Sequence, residues 1–237
     1  MDLKESEILG DQVNSHWYYT AKAQALRCML TQLMPRHLLD VGAGSGFFSR
    51  HLLASTAAES ALCIDPNYAG DSDECVDNKP LHFRTKLATI DADLVLLMDV
   101  LEHVDDDLGL LREYIDKVPS GAHFFISVPA FQFLWSGHDD FLEHKRRYTL
   151  AQVEALAGSA GLTLVQSNYY FLAVFPIAAC IRLLQRLIGT SQINKSQLSR
   201  HHPLVNGILR ALCWLELPIL RSNRLAGLSV FCLAQKP

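Results

Sequence analysis

Short apolar runs alternate along this chain with segments of helical spacing, and this alternation limits the folds that the chain can adopt. The apolar runs cover His37–Val41, Ala61–Asp65, Leu81–Arg84, Asp93–Met98, Ala122–Val128, Leu162–Tyr170 and Leu228–Ala234. Helical spacing covers residues 17–34, 47–58, 105–118 and 150–160. Strands that alternate with helices are joined by right-handed crossovers, so the pattern predicts an α/β fold with a doubly wound, mostly parallel sheet. Such sheets bind ligands beyond the carboxyl ends of their strands.

A glycine-rich loop follows the first strand. It contains Gly42, Gly44 and Gly46. Glycine lets the backbone turn sharply and approach a ligand closely, and Asp65 ends the second strand, where a carboxylate can accept hydrogen bonds from both ribose hydroxyls. Phe47 stands where a dinucleotide fingerprint has its third glycine, and Asp40 would repel a pyrophosphate. The loop therefore favours S-adenosylmethionine, which carries a cationic sulfonium and an α-amino group, over NAD.

A second polar cluster follows the strand that ends at Met98. It comprises Asp99, Glu102 and His103, and then Asp105–Asp107. The three consecutive acids are explained by a helix cap and the favourable field at a helix N-terminus. That explanation accounts less well for Asp99 and His103, which fall at the ligand edge of the predicted sheet.

Residues 38–46, Asp65 and residues 98–104 together resemble the class I S-adenosylmethionine-dependent methyltransferases. The resemblance is closest to the small-molecule branch that includes the ubiquinone-biosynthesis O-methyltransferases. The resemblance extends to a bacterial lineage often encoded beside glycosyltransferases for envelope polysaccharide, through residues 128–139, His144, 146–149, 16–18 and 227–229. The resemblance spans nearly the whole chain.

The resemblance implies a set of cofactor-binding residues. These are Asp40, Gly42, Gly44, Gly46, Asp65, Pro66, Leu87, Met98, Asp99, His16 and Trp17. The glycines and Asp40 would lie along the methionine and ribose of the cofactor, and Pro66 would lie against the adenine. Lys86-Leu87 stands where the family usually has an acid or a small polar residue. His16 and Trp17 would belong to an N-terminal helix that covers the cofactor.

Three histidines are candidates for the base that removes a proton from an acceptor hydroxyl: His138, His103 and His144. Of the three, we expect His138 to be the base, because Asp139 or Asp140 could orient its imidazole. The alternative is a hydrogen-bond network that only stabilises the loop. The candidates for substrate binding are Trp135, Asp139, Arg146, Arg147 and Tyr148. No metal is expected, since His138, Asp139 and His144 match no familiar ligand spacing.

Residues 171–224 interrupt the alternation as a helical insertion before the last strand. They carry seven basic residues against one acid, Glu216, in a chain whose net charge is −4. Arg182, Gln185 and Arg186 share one helical face, opposite Ile181 and Leu184. The insertion could pack on the body, join a homodimer, or lie as a lid against anionic lipid. No apolar stretch reaches the roughly 20 residues of a membrane span.

We therefore expect one Rossmann-like domain over residues 1–237, with a seven-stranded sheet whose last strand is antiparallel. Its parts are an N-terminal helical cap (1–36), a cofactor-binding core (37–170), the basic insertion (171–224) and the last strand (225–237). The expected reaction is methyl transfer from S-adenosylmethionine to a small or lipid-linked acceptor, with oxygen the favoured atom, releasing S-adenosylhomocysteine. The rival interpretation is a non-catalytic cofactor-binding regulator or partner protein.

The cysteines, the N-terminal residues and the charge distribution also bear on the cellular compartment and the partners of the protein. An acidic, polar N-terminus and six scattered cysteines without a C-x-x-C motif favour a reduced, cytoplasmic protein. Peripheral contact with the inner membrane face would come through residues 171–224. No nucleic-acid partner is expected, because the basic residues do not form a broad positive face.

Overall fold

The alternating strands and helices assemble into one sheet in the computed structural model, which describes residues 9–188 and 202–237. The strands are β1 His37–Val41, β2 Ser60–Ile64, β3 Ser72–Val76, β4 Lys79–Arg84, β5 Leu94–Met98, β6 His123–Pro129, β7 Thr163–Tyr170 and β8 Ser229–Gln235. Their spatial order is β3-β4-β2-β1-β5-β6-β8-β7. Strands β4, β2, β1, β5 and β6 run parallel, and β8 is antiparallel to both of its neighbours. The predicted α/β class and antiparallel last strand are confirmed.

Helices cover both faces of the sheet because alternate residues of each buried strand point to opposite sides. The helices are α1 Trp17–Met29, α2 Phe47–Ser55, α3 Asp107–Lys117, α4 Gly137–Phe141, α5 Leu150–Ser159, α6 Phe175–Ile188 and α7 Pro203–Leu215. Leu38 belongs to the core under α1 and α2, which includes Phe48. Its neighbour Leu39 belongs to the opposite core under α3 and α5, which includes Leu111 and Val153.

The sheet has eight strands, whereas the sequence predicted seven. The additional strand is β3, an edge strand that forms an antiparallel hairpin with β4. Its side chains are almost all exposed, so it lacks the apolar alternation that identifies a half-buried strand. Asp77 and Asn78 connect the two strands with φ of 51° and 64°, which is the left-handed geometry of a tight hairpin turn.

The described residues of the predicted insertion include the helices α6 and α7, and Arg182 on α6 faces the protein. Arg182 is buried and donates a hydrogen bond to the carbonyl oxygen of Leu134. Ile181, Leu184 and Leu187 are instead 50%, 55% and 82% exposed. The aliphatic part of an arginine can be buried when a carbonyl accepts a hydrogen bond from its guanidinium. With Arg182 facing the protein, the apolar residues of α6 face outward.

Parts of the predicted cap and insertion, residues 1–8 and 189–201, lie outside the described residues. Of the helices in the described part of the chain, none is both long and apolar enough to cross a bilayer.

Candidate functional site

Three strands end in turns that hold a non-glycine residue at positive φ. Asp99 follows β5 with φ of 56°, Phe131 follows β6 with φ of 57°, and Phe171 follows β7 with φ of 67°. Each such residue costs of order 1 kcal/mol or more, and these conformations cluster at functional sites. The strain therefore falls on the carboxyl edge of the sheet, where the sequence places the binding site.

The glycine loop connects β1 to α2 in a conformation that requires glycine. Gly42, Gly44 and Gly46 have φ of 61°, 54° and 70°. A Cβ added to Gly42 would lie 2.8 Å from Cγ2 of Val100, and one added to Gly46 would lie 2.9 Å from the ring of Phe83. The backbone thus runs unusually close to its neighbours. An open cleft of 600 Å³ lies beside the loop, partly lined by Gly44 and Phe83.

Asp65 connects the end of β2 to this loop. One carboxylate oxygen accepts a hydrogen bond from the amide of Gly44 at 3.2 Å, and the other accepts from the amide of Asn67 at 2.9 Å. The hydroxyl of Tyr68 donates to the carbonyl of Gly44 at 2.7 Å. Each carboxylate oxygen has two lone pairs, so Asp65 can brace the loop and still accept from ribose hydroxyls. Sequence reasoning missed Tyr68, which no motif distinguishes from an ordinary loop residue.

Asp40 lies buried beneath the loop at 1% exposure. Its Oδ2 accepts from the hydroxyl of Ser49 at 2.8 Å, while its Oδ1 has no hydrogen-bond partner in residues 9–188 and 202–237. Burial raises the pKa of this carboxyl from 3.8 to about 6. An unsatisfied buried carboxylate oxygen fits a cationic ligand group such as the amino group of S-adenosylmethionine.

We expect Asp40→Asn to raise the free energy of unfolding of the cofactor-free protein by up to about 3 kcal/mol at pH 8. The folded protein has the higher pKa, so the wild-type carboxyl costs nothing below about pH 4, costs progressively more as the pH rises from 4 to 6, and costs a constant amount above that. The stability difference between the two proteins should therefore shrink as the pH falls from 8 to 4. Urea unfolding at several pH values measures it, and a difference that does not vary with pH would contradict the burial of an ionisable Asp40.

At the end of β5, Asp99 is held from two sides. The ammonium of Lys22, fully buried in α1, pairs with Oδ2, and the hydroxyl of Ser127 donates to Oδ1 at 3.0 Å. Burial alone would lower the pKa of Lys22, but the charge of Asp99 holds it above its ordinary value. The pair joins the N-terminal helix to the predicted methionine end of the site. Sequence reasoning missed Lys22, because a single lysine among alanines gives no sign that it is buried.

The N-terminal helix α1 begins at the two residues predicted to cover the cofactor. His16 caps the helix, and its imidazole accepts a hydrogen bond from the amide of Tyr18. Trp17 is buried and packs edge-to-face on Phe171. The indole Nε1 of Trp17 is buried, and within the described part of the chain it has no hydrogen-bond acceptor. It is therefore a donor that a ligand could satisfy.

The predicted adenine contacts lie farther along the same edge. Pro66 is exposed immediately after β2, and Leu87 is half-buried after β4, packed on the core under α3. Their contact with adenine stays a prediction.

Three predicted histidines come together beside Asp99. The rings of His103 and His144 are 4.7 Å apart between centroids and nearly perpendicular, and His138 lies 6.5 Å from His144. Burial lowers the pKa of His138 to about 4, so its imidazole is neutral at physiological pH. The fully buried Glu102 completes the group, with burial and the charge of Asp99 raising the pKa of its carboxyl.

The two carboxylates expected to orient His138 form hydrogen bonds with other side chains. Asp139 accepts from Nδ1 of His144 at 3.0 Å, and Asp140 accepts from the indole of Trp135 at 2.9 Å. The reason is geometric, since Asp139 caps α4 from within the helix and points toward the loop that follows, where His144 stands. Asp139 and His144 therefore form an Asp–His pair in the site.

The other predicted substrate contacts are largely committed to the protein itself. Arg147 donates from Nε and Nη2 to the two carboxylate oxygens of Asp139, at 2.7 and 2.9 Å. Arg146 pairs with Asp107 at 3.2 Å, and the buried hydroxyl of Tyr148 donates to the same carboxylate at 2.8 Å. These residues build the loop between β6 and α5, and any contact that they make with an acceptor stays a prediction.

The residues present fit S-adenosylmethionine. The buried Oδ1 of Asp40 suits an ammonium, the three glycines of the loop let a ligand approach the backbone, and Asp65 suits a ribose. The arrangement can hold a positively charged nucleotide-like ligand beside a group of histidines that can move a proton.

Comparison with known proteins agrees with this fit. A family model described as a methyltransferase domain matches residues 14–167, more than half of the chain. No curated protein sequence matches. At 14–17% identity, the structural similarities that follow show the fold alone.

A protein described as a methyltransferase, solved with the Haloferax volcanii Trm112 methyltransferase activator, has a TM-score of 0.57 and 17% identity over 100% of this chain and 95% of that chain. A SAM-dependent methyltransferase from Archaeoglobus fulgidus has a TM-score of 0.54 and 17% identity over 99% and 98%. Haemonchus contortus phosphoethanolamine N-methyltransferase 2, bound to phosphomonomethylethanolamine and S-adenosylhomocysteine, has a TM-score of 0.55 and 14% identity over 99% and 57%.

Proposed function

Because the chain belongs to the methyltransferase-domain family of S-adenosylmethionine-dependent enzymes, we propose that it methylates an oxygen of a small or lipid-linked acceptor. The observation that supports oxygen is the histidine group His103, His138 and His144 at the carboxyl edge of the sheet. A hydroxyl must lose its proton when it is methylated, and a neutral imidazole can accept that proton.

The cofactor, when bound, supplies a methyl group already activated on a sulfonium, and S-adenosylhomocysteine is the product. The chain has to hold this ligand and exclude water from it. The glycine loop and Asp65 would hold its ribose, and Asp40 its amino group. The Lys22–Asp99 pair fixes α1 over the end of β5, and His16 and Trp17 begin that helix.

Proton removal falls to the histidine group. His138 is neutral at physiological pH, so its imidazole can accept the hydroxyl proton as the carbon–oxygen bond forms. Its pKa of about 4 makes it a weak base, so the acceptor hydroxyl should be an acidic one, such as a phenol or quinol. The Asp139–His144 pair, braced by Arg147, holds the loop that carries these groups.

The test is product analysis with purified protein, S-adenosylmethionine and three acceptor classes: quinols, phenols and polyprenyl-linked sugars. We expect a methyl ether by mass spectrometry and stoichiometric S-adenosylhomocysteine. His138→Gln should lower kcat at least about 100-fold with little change in cofactor affinity. Cofactor binding without product from any hydroxyl acceptor would favour the regulator instead.

We also propose that α6 and α7 bring the site to a lipid surface. The exposed apolar residues of the two helices are Ile177, Ile181, Leu183, Leu184, Leu187, Leu204, Val205, Ile208, Trp214 and Leu215. Apolar residues that recur at helical spacing on an exposed face are typical of helices that lie in a membrane interface. Arg221 donates to the carbonyl of Cys28, and Arg224 pairs with Glu154. Because these two cations already have partners within the protein, we expect apolar contact to contribute more to lipid binding than charge does. A homodimer through the same face is the competing explanation.

Replacing Leu184 and Leu187 by glutamate should abolish sedimentation with liposomes, because each leucine that enters the membrane interface contributes roughly 1.5–3 kcal/mol of transfer free energy. Met34→Glu, at an equally exposed methionine in the loop after α1, is the control and should leave partitioning unchanged. Partitioning that survives both leucine changes, or a dimer by gel filtration that the same changes dissociate, would contradict the lipid contact.

A further inference from the structure

Glu102 is the least satisfied charged group in the described part of the chain. Its side chain is fully buried, and neither carboxylate oxygen has a hydrogen-bond partner among residues 9–188 and 202–237. An ionised carboxylate there lacks a hydrogen-bonded counterion, and a protonated one lacks an acceptor for its O–H. Either form leaves a buried polar group unpaired, which costs at least 1–3 kcal/mol by typical estimates. A bound cation would remove that cost.

Two imidazoles accompany this carboxylate. One donor atom from each of Glu102, His103 and His144 lies within 4.8 Å of the other two. Ligand atoms around a tetrahedral zinc ion are about 3.4 Å apart, so binding would require them to approach by about 1.4 Å at most. Side-chain torsions cover such a distance without moving the backbone.

The two loops that carry these donors are fixed to each other. The amide of Lys145 donates to the carbonyl of Glu102 at 2.6 Å, which ties the residue after His144 to the residue before His103. Arg146 donates to the carbonyls of Val104 and Asp105, at 3.2 and 2.8 Å. The two loops are therefore held together by one backbone hydrogen bond and by the guanidinium of Arg146.

The environment of His144 is also that of a metal ligand. Its Nδ1 lies 3.0 Å from the Asp139 carboxylate, which Arg147 holds in turn. A histidine that donates Nδ1–H to a carboxylate presents the lone pair of Nε2, and this carboxylate–histidine arrangement commonly orients metal ligands. Asp139 thereby takes the supporting position behind a ligand.

We propose that Glu102, His103 and His144 bind one divalent transition-metal ion, of the zinc, manganese or iron(II) class. Two imidazoles and one carboxylate suit these ions better than magnesium, which prefers oxygen ligands. Three protein ligands leave a coordination position open. The open position would take the acceptor oxygen and make its hydroxyl more acidic. That role rests on the proposed function, whereas the binding site itself does not.

The first test is titration of metal-free, untagged full-length protein with Zn²⁺ and with Mg²⁺, followed by calorimetry. The exposed Cys75 and Cys180 are replaced by serine to remove adventitious thiolate binding. We expect one Zn²⁺ per chain, a higher thermal midpoint with zinc, and much weaker binding of Mg²⁺. No zinc binding, or equal affinity for the two ions, would overturn the proposal.

The second test uses variants of the ligands. Glu102→Gln, His103→Ala and His144→Ala should each lower the zinc affinity at least about 100-fold. His123→Ala, which removes a histidine at the amino end of β6, is the control and should bind zinc as the wild type does. Glu102→Gln keeps the side-chain size and removes only the charge, so its unfolding midpoint without metal should not fall. Wild-type zinc affinity in Glu102→Gln would disprove the site.

Both titrations are made without cofactor or acceptor, which separates this inference from the proposed function. Zinc binding that depends on Glu102, together with no methylated product, would leave the site standing and remove the O-methylation. Methyl ether formation by a protein that binds no zinc would support the O-methylation and overturn the metal site.

Discussion

Asp139→Ala should lower the free energy of unfolding by about 3–5 kcal/mol, the range typical of a buried ion pair that loses one partner. Asp139 is fully buried, and its carboxylate accepts from Arg147, His144 and the amide of Ser136. Although burial alone would raise the pKa of this carboxyl, the hydrogen bonds from His144 and Arg147 hold it far below its ordinary range. Removing the carboxylate leaves the guanidinium of Arg147, itself 7% exposed, without a counterion.

The pH dependence has a defined sign. The folded pKa of Asp139 is depressed, so its contribution to stability is fully present above the unfolded value of about 3.9 and is lost as the pH falls below it. The difference between wild type and Asp139→Ala should therefore be constant from pH 5 to 8 and smaller below pH 4. Urea unfolding at these pH values measures the effect.

A double variant separates the unpaired charge from lost packing. Asp139→Ala/Arg147→Met removes both charges and should be more stable than the sum of the two single changes predicts. Glu59→Ala breaks the exposed Arg36–Glu59 pair, which is open to solvent on both sides, and should not change stability measurably. Additive effects in the double variant would mean that Asp139 and Arg147 are not coupled.

The fold could be predicted because its signals are local. The spacing of Gly42, Gly44 and Gly46 after a buried strand requires a sharp turn wherever the rest of the chain lies, and the structure has that turn. Strand β3 could not be predicted in the same way, because an exposed edge strand such as Ser72–Val76 buries no periodic apolar face. Its one local signal is the Asp77-Asn78 turn.

The histidine group could be predicted only as a list of candidates. His138 and Asp139 are adjacent in sequence, yet neighbouring residues on a helix point in different directions, and Asp139 accepts a hydrogen bond from His144, five residues along the chain. The orientation of α6 follows from a tertiary contact as well, since the carbonyl of Leu134 accepts from Arg182. Hydrogen-bond partners far apart in sequence decide both outcomes, and periodicity carries no information about them.

Asp65→Ala should lower the affinity for S-adenosylmethionine and S-adenosylhomocysteine about 100-fold or more. Two hydrogen bonds from ribose hydroxyls to a carboxylate contribute about 1.5–3 kcal/mol each, and 1.4 kcal/mol corresponds to a factor of ten. The change also removes the acceptor for the amides of Gly44 and Asn67, so the loop loses its brace at the same time. Isothermal titration calorimetry with both adenosyl ligands and with NAD measures the change.

Asp65→Asn separates the two contributions. The asparagine oxygen can still accept from the amide of Gly44, which keeps the loop braced, but a neutral amide accepts ribose hydroxyls more weakly. Its affinity should therefore fall between those of wild type and Asp65→Ala. Asp116→Ala, at an exposed position on α3, is the matched control and should bind as the wild type does. Equal affinity in all four proteins, or NAD binding as tight as that of the adenosyl ligands, would mean that the ribose is held elsewhere and that Asp65 serves the loop alone.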